Sequence, residues 1–371
     1  MRVKLGDYIQ EYSERNRLQE DIPVYSVTNT HGFCTDYFGK EVASKDKSTY
    51  KIVPYGCFAY NPSRINVGSV DWQHVAERVI VSPLYVVFSV SEQILPQYLY
   101  YYLKSDISLT FIKAVATGSV RDNLKFSALS EFPFELRPIS DQKLIVDRLD
   151  KIGDIISMRQ QELAALDDLI KARFVEMFGE NTPNTITLKD CCLDVRGGGT
   201  PSMKHPEYYG GNVPFIKSGD VRGDIVMSGA LWLTDKALAE TTAKYIPSGA
   251  VLVVNRSAAL LKEFRAAIAG QPVVINQDIK AFVPKSEFTS QYLLWAIKIQ
   301  TQYLLTKVTT VLTSHIDLKD LLDLRIAPAS IERQDSFSSF VAQIDKSKYD
   351  IDTSAYLCAQ FSQSYRQERM I

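Results

Sequence analysis

The run Asp141–Phe178, DQKLIVDRLDKIGDIISMRQQELAALDDLIKARFVEMF, decides how the rest of the chain is organised. It holds a single Gly and no Pro. Its apolar residues recur at alternating steps of four and three: Ile145, Leu149, Ile152, Ile156, Leu163, Leu166, Ile170 and Met177. That spacing keeps one stripe on one side of a helix and approximates the 3.5-residue period of a coiled-coil seam. Arg159 and Arg173 also fall on the seam, where a long Arg stem can lie along apolar surface with its head in water. At about 1.5 Å per residue the run predicts a rod on the order of 55 Å long. Ser140 is placed to cap its start, with Asp141 favourable against the helix dipole. Gly179 and the polar run Glu180–Asn184, which contains Pro183, predict its end.

On either side lies sequence suited to folded domains. A chain of 371 residues with 46% hydrophobic content predicts two domains of ordinary size. No apolar run approaches the roughly 20 residues of a membrane span and no signal-peptide core opens the chain, so a cytoplasmic protein with no membrane partner is expected. The five cysteines, Cys34, Cys57, Cys191, Cys192 and Cys358, show no paired ligand spacing and predict reduced thiols rather than zinc or disulfides. The net charge of −1 does not announce a nucleic-acid binder. DNA affinity would have to come from a local face or a partner, because a weakly charged block releases few counterions.

The two sides repeat one another at an offset of about 193 residues. Pro54-Tyr55-Gly56 precedes an apolar run ending at Asn61, and Pro247-Ser248-Gly249 precedes one ending at Asn255. Phe88, Gln97, Tyr98 and Leu99 match Phe282, Gln291, Tyr292 and Leu293; Leu124, Leu129, Phe132, Phe134 and Gln142 match Ile316, Leu321, Leu324, Ile326 and Gln334. Strands are predicted at 24–27, 51–60 and 79–90, then 213–216, 249–255, 266–275 and 279–283, from β-branched runs punctuated by Gly and Pro. Helices follow at 96–108 and 290–305, and closing strands at 132–137 and 324–328. A second long helix, Ile331 to about Gln367, carries a weaker seam of Phe337, Val341, Ile344, Ile351, Ala355 and Cys358, interrupted by Lys348. The reading is a mixed α/β chain: residues 1–140 and 181–330 as similar tandem domains, 141–180 and 331–371 as long helices that pair as an antiparallel coiled coil.

The run Gly197-Gly198-Gly199-Thr200-Pro201-Ser202, followed by Tyr208-Tyr209-Gly210-Gly211-Asn212-Val213-Pro214-Phe215-Ile216 and Gly219-Asp220-Val221, resembles the entry motif of target-recognition domains in type I restriction-modification specificity subunits. Phe215 stands where that family usually has Trp. Tyr60-Asn61-Pro62-Ser63-Arg64 is similar to another form common in these domains. Arg137-Pro138-Ile139-Ser140-Asp141-Gln142 and Ala327-Pro328-Ala329-Ser330-Ile331-Glu332-Arg333-Gln334 resemble the lead-in to the family's conserved helices. The first half lacks the Gly-Gly-Thr-Pro motif, so its recognition loop has no analogue to place it.

The resemblance implies a non-catalytic subunit in which each domain reads one part of a split, asymmetric site in double-stranded DNA. It implies that the paired helices set the distance between the parts and dock two methyltransferase subunits, which hold S-adenosylmethionine. Motor-nuclease restriction subunits join where such a system cuts. This chain would then carry no cofactor of its own. A catalytic reading fits poorly: Asn61-Pro62-Ser63-Arg64 lacks the second Pro and the aromatic of an adenine methyltransferase motif, and the Gly197–Gly199 run leads into Thr-Pro rather than a helix. The reading from another class is a protein-interaction scaffold or an inhibitor of such a system, favoured by the near-zero charge. A third is a homodimer joined through the seam that binds DNA unaided.

Candidate DNA contacts follow from residue type. Asn61, Ser63 and Arg64 in a turn can offer a guanidinium to guanine or phosphate, or be a solvated turn. Asn255, Arg256 and Ser257 mirror them. Arg121, Asn123 and Lys125 after Thr117-Gly118-Ser119 form a loop of the same character, and Thr313, Ser314 and His315 occupy its equivalent. His315 suits a structural hydrogen bond better than base reading. Lys204, Lys217, Ser218 and Arg222 lie in Gly-rich loops that permit close backbone approach, although those glycines can equally serve the turn alone. Tyr208, Tyr209 and Trp232 are expected in the core or as loop staples. Phe174, Met177 and Phe178 can pack on a domain or on a partner.

Overall fold

The computed structural model describes residues 1–35, 46–115, 123–179, 185–310 and 313–370. It divides into two compact units, Met1–Gln161 with Ile351–Ile371 and Glu162–Asp350, and the division runs through both long helices.

In the first unit the strands stand in the order Ile9–Tyr12, Val86–Val90, Phe58–Tyr60, Val70–Trp72, each antiparallel to its neighbour. Arg2–Lys4 pairs with Pro133–Glu135 beside this sheet. The core joins Phe58 and Phe88, stacked at 5.1 Å, to Tyr98, Leu99 and Tyr102 of the helix Pro96–Leu103. The second unit repeats the plan. Cys192–Gly197, Ile279–Pro284, Val251–Val254 and Ala266–Ala269 follow the same order, and Ile225–Val226 adds a parallel edge. Even the register is kept: Phe58 faces Phe88 and Ala59 faces Val87, while Val251 faces Phe282 and Leu252 faces Ala281. A further sheet in the second unit runs Leu231–Leu233, Tyr209–Ile216, Val273–Ile275, Tyr245–Ile246.

Turn chemistry divides several runs read as single elements. Residues 51–60 become Lys51–Pro54 and Phe58–Tyr60. Between them Gly56 takes φ 83° and the Pro54 carbonyl accepts from the Cys57 N–H at 3.1 Å. Gly249, also at φ 83°, makes the equivalent turn with a 3.3 Å bond from Ala250 N to Pro247 O. A left-handed third position is a type II turn, which glycine enters without steric penalty. Residues 79–90 divide into Arg78–Val81 and Val86–Val90 around a turn at Ser82, and 266–275 divides at Gly270-Gln271-Pro272. The strand expected at 24–27 is Ser26–Thr28. The helix expected over 96–108 breaks after Leu103, where the Ser105 hydroxyl turns back to the Tyr102 carbonyl at 2.7 Å, and 290–305 breaks between Lys298 and Thr301.

The first long helix spans Ile139–Phe178 and the second Ile331–Arg369. Ser140 is not the cap: the Pro138 carbonyl accepts from both Asp141 N and Gln142 N at 3.0 Å, which places Ser140 inside the first turn. Gly179, at φ 74°, ends the helix. In the second unit Arg333 donates to the Met177 carbonyl and Lys348 to the Asp167 carboxylate. In the first, Arg137 Nε donates to Arg369 O at 3.1 Å and Arg148 to the Tyr365 hydroxyl at 3.3 Å. Rising numbers on one helix meet falling numbers on the other, so the two pair antiparallel. Ile145, Leu149, Ile170, Phe337 and Val341 are buried; Ile152, Ile156, Leu163, Leu166, Ile344 and both seam arginines are half-buried. Phe174 and Phe178 lie in the second unit's core against Tyr292 and Phe337, with centroids 4.8 to 5.8 Å apart, and Met177 packs at its margin. No described helix is long and apolar enough to cross a membrane.

One joint recurs with its hydrogen bonds. Gln142 accepts from Leu95 N and donates to the carbonyls of Gln93 and Arg137, all at 2.8 Å. Gln334 accepts from Thr289 N at 2.8 Å and donates to the carbonyls of Glu287 and Ala329 at 2.9 Å. Both side chains are fully buried.

Candidate nucleic-acid interface

The strand Phe58–Tyr60 delivers Asn61 into a turn that its own side chain builds, since Asn61 Oδ1 accepts from Ser63 N at 3.1 Å. The Arg64 N–H closes the turn on Asn61 O at 2.9 Å. The segment before the helix Phe126–Ser130 docks on it. Leu124 N donates to Pro62 O at 3.2 Å, Ser63 Oγ donates to Asn123 Oδ1 at 2.7 Å, and the buried Tyr60 hydroxyl donates to Leu124 O at 3.2 Å. Asn61, Ser63, Arg64 and Asn123 thereby share one surface, with Arg64 and Lys125 exposed. Arg121 lies outside the described residues.

Equivalent segments meet in the second unit. The strand Val251–Val254 ends at Asn255, whose backbone oxygen accepts from Ile316 N at 2.8 Å and whose side-chain amide donates to Ile316 O at 3.3 Å. Ser257 N donates to Ser314 O at 3.0 Å, and Arg256 forms an antiparallel bridge with His315. The His315 ring is held by protein, with Nε2 3.2 Å from Thr309 Oγ1 and 3.5 Å from an Asp317 carboxylate oxygen.

The Gly-rich loops join this cluster through the turn Asn276-Gln277-Asp278. Asp278 O accepts from Asn255 N at 3.0 Å and Arg256 N at 3.3 Å; Asn276 N donates to Ile216 O at 3.0 Å; Gly199 N donates to Ile275 O at 3.1 Å. Thr200 reaches the Gln277 side chain, and the Tyr209 hydroxyl staples the loop through Pro201 O at 2.6 Å. A methyl group at Gly198 would collide with the carbonyl oxygens of Ile275 and Asn276, so that glycine serves close packing of backbone on backbone. Lys217 and Ser218 begin the next loop, where the Asp220 carboxylate accepts from Lys217 N at 2.9 Å, and Arg222 Nε donates to Gly219 O at 3.1 Å. Lys204 is exposed after Ser202. Trp232 is not core: it stands on an edge strand, 37% exposed.

Three groups of residues escaped sequence reasoning. The turn 276–278 carries no motif; its role arises from contacts to Thr200, Ile216, Asn255 and Arg256, which are remote from it in sequence. Asp220 was visible as part of the Gly219-Asp220-Val221 motif, but its role in closing the turn on Lys217 N was not. In the first unit the hairpin of Ser26–Thr28 and Gly32–Cys34 stands beside the Asn61–Ser69 loop, where the missing Gly-Gly-Thr-Pro motif gave no guide. The Asp71 carboxylate fastens that hairpin by accepting from Phe33 N at 3.0 Å, and burial holds its pKa above the usual carboxylate value. Among the described residues no group of His, Cys, Asp and Glu could hold a metal ion.

A family model described as "Type I restriction modification DNA specificity domain" matches residues 6–167 and again 182–355. The chain belongs to this family. Its two specificity domains are thus the two halves already seen to repeat. The EcoR124I/EcoR124II specificity subunit of the type I restriction enzyme from Escherichia coli is 29% identical over 152 residues, 40% of this chain and 38% of that protein. The MjaIX specificity subunit from Methanocaldococcus jannaschii is 29% identical over 157 residues, 41% of this chain and 35% of that protein. The matched stretches therefore span well under half of these relatives. A solved structure from work on complex assembly and conformational transition of the type I R-M system superposes with TM-score 0.61 at 16% identity, over 100% of this chain and 97% of that one, which shows a shared fold.

Proposed function

We propose that this chain is the DNA-reading subunit of a type I restriction-modification complex. Domains 1–140 and 181–330 each contact one part of a split, asymmetric site. The long helices dock two methyltransferase subunits, and motor-nuclease subunits join where the system cuts. The chain itself does no chemistry: its polar side chains hold loops, and S-adenosylmethionine belongs to the methyltransferase partners. One observation carries the reading within a family of DNA specificity domains. In both units the loop after the same strand is pinned to the segment before the same short helix, giving Asn61, Ser63, Arg64, Asn123 and Lys125 in one and Asn255, Arg256, Ser257 and His315 in the other. Arg64, Lys125, Lys204, Lys217, Arg222 and Arg256 form no ion pair among the described residues, so their charge is available to phosphates or base edges. Gel mobility shift with the purified chain and its methyltransferase partner tests the reading: one bipartite duplex is expected to outcompete all others. Equal affinity for every duplex would instead support an interaction scaffold.

A further inference from the structure

Beside the Asn61–Arg64 turn the first unit contains a cavity of about 290 Å³. One wall is the hairpin that begins at Ser26, and the other is the segment from Asn61 to Ser69. The lining is rich in donors: the Arg64 guanidinium, the hydroxyls of Ser26, Ser69 and Tyr85, and the side-chain amides of Asn29 and Asn61. It includes no carboxylate. Ser69 is only 5% exposed, yet its hydroxyl makes no hydrogen bond within the described residues. That oxygen is not sealed off from the cavity, so its proton is open to donate to whatever enters. Tyr85 already accepts from Val27 N at 3.3 Å through its hydroxyl oxygen, so its own proton is left to donate. A lining that carries a guanidinium and several hydroxyl and amide donors, with no carboxylate to oppose them, favours an oxyanion. A cation would find no balancing charge, and an apolar group would strand the hydroxyls.

We infer that this cavity is a phosphate seat: Arg64 and the Ser69 hydroxyl grip a phosphodiester of the DNA backbone and so fix the register of the first domain on the duplex. The inference rests on the DNA-reading function above and assigns Arg64 to backbone rather than to a base edge. The hairpin is then part of the interface, and Ser69 and Ser26 are DNA contacts that no motif marks.

The test uses the chain assembled with its methyltransferase partner. Arg64→Met is expected to weaken cognate and non-cognate duplexes by the same factor and to lower the slope of log K against log salt by about 0.9, the share of one phosphate. Ser69→Ala, with Ser26→Ala as a second variant on the opposite wall, is expected to weaken both duplexes three- to tenfold with the slope retained. Loss of discrimination at one base pair in Arg64→Met would overturn the assignment by making Arg64 a base reader. A second arm reads the cavity without DNA: inorganic phosphate should raise the melting temperature of the complex, and Ser69→Val should abolish the shift. A phosphate shift that Ser69→Val removes, with duplex affinity untouched by all three variants, would overturn the DNA source and leave a free-anion site. Should the wild-type complex show no duplex preference, the broader reading falls, and the phosphate shift still decides whether the cavity binds an oxyanion.

Discussion

Gln142 and Gln334 illustrate how much a single buried amide can hold. Each spends one oxygen and both N–H donors on backbone, and each is fully buried. Gln334→Ala leaves two carbonyls and the Thr289 N–H without partners. It is expected to cost about 2–4 kcal/mol, read as a lower urea midpoint with an unchanged m-value. Asp71 gives a pH signature. Burial raises its native pKa above 3.8, although two backbone N–H groups and the charges of His74 and Lys104 pull the other way. An acid that holds its proton more tightly when folded adds stability below the unfolded pKa and withdraws it as pH rises through the native value. Urea titrations of wild type and Asp71→Asn are therefore expected to diverge, with wild type losing ground as pH climbs from 3.8. Parallel curves would refute a native-state shift.

The paired helices show where a seam tolerates polarity. Lys348 interrupts the apolar spacing, and in the second unit its ammonium reaches Asp167 on the facing helix and lies 3.7 Å from Asp345. Half-exposed pairs of this kind contribute little to stability, yet a lone polar residue on a seam can fix the alignment of two helices. Lys348→Leu is expected to leave thermal stability within about 1 kcal/mol of wild type or to raise it. Cysteine pairs placed one turn out of register should then cross-link more readily than in wild type. The seam was legible because heptad spacing is local, as were the Pro-x-Gly turns and the glutamines. The breaks after Leu103 and Lys298 were not, because a hydroxyl folding back on a carbonyl, Ser105 onto Tyr102 and Thr301 onto Lys298, looks like any other serine or threonine in a helical run. Nor was the 276–278 turn, whose partners Ile216, Thr200 and Asn255 come together only on folding.

At the scale of the whole molecule, the expectation from the resemblance that the paired helices set the spacing of the two half-sites has a measurable form. Four residues, roughly one helical turn, inserted into both long helices should lengthen the spacer of the methylated site and leave both half-sites unchanged. Sequencing of methylated adenines in a host with the altered chain reads this directly, and an unaltered spacer refutes that expectation. Candidate DNA contacts were partly visible as repeated Asn, Arg and Ser after equivalent strands. Ser26 and Ser69 were invisible, since nothing in their neighbours' identity signals a shared cavity. The glutamine joints carry one more consequence. Gln142 grips Gln93, Leu95 and Arg137 only through main-chain atoms, and Gln334 grips Glu287, Thr289 and Ala329 in the same manner. The glutamine socket is thus indifferent to side chains, whereas the apolar face beside it, Phe174 and Phe178 against Tyr292, is not; a foreign module grafted onto either strut would need the same backbone corner and a matching apolar patch.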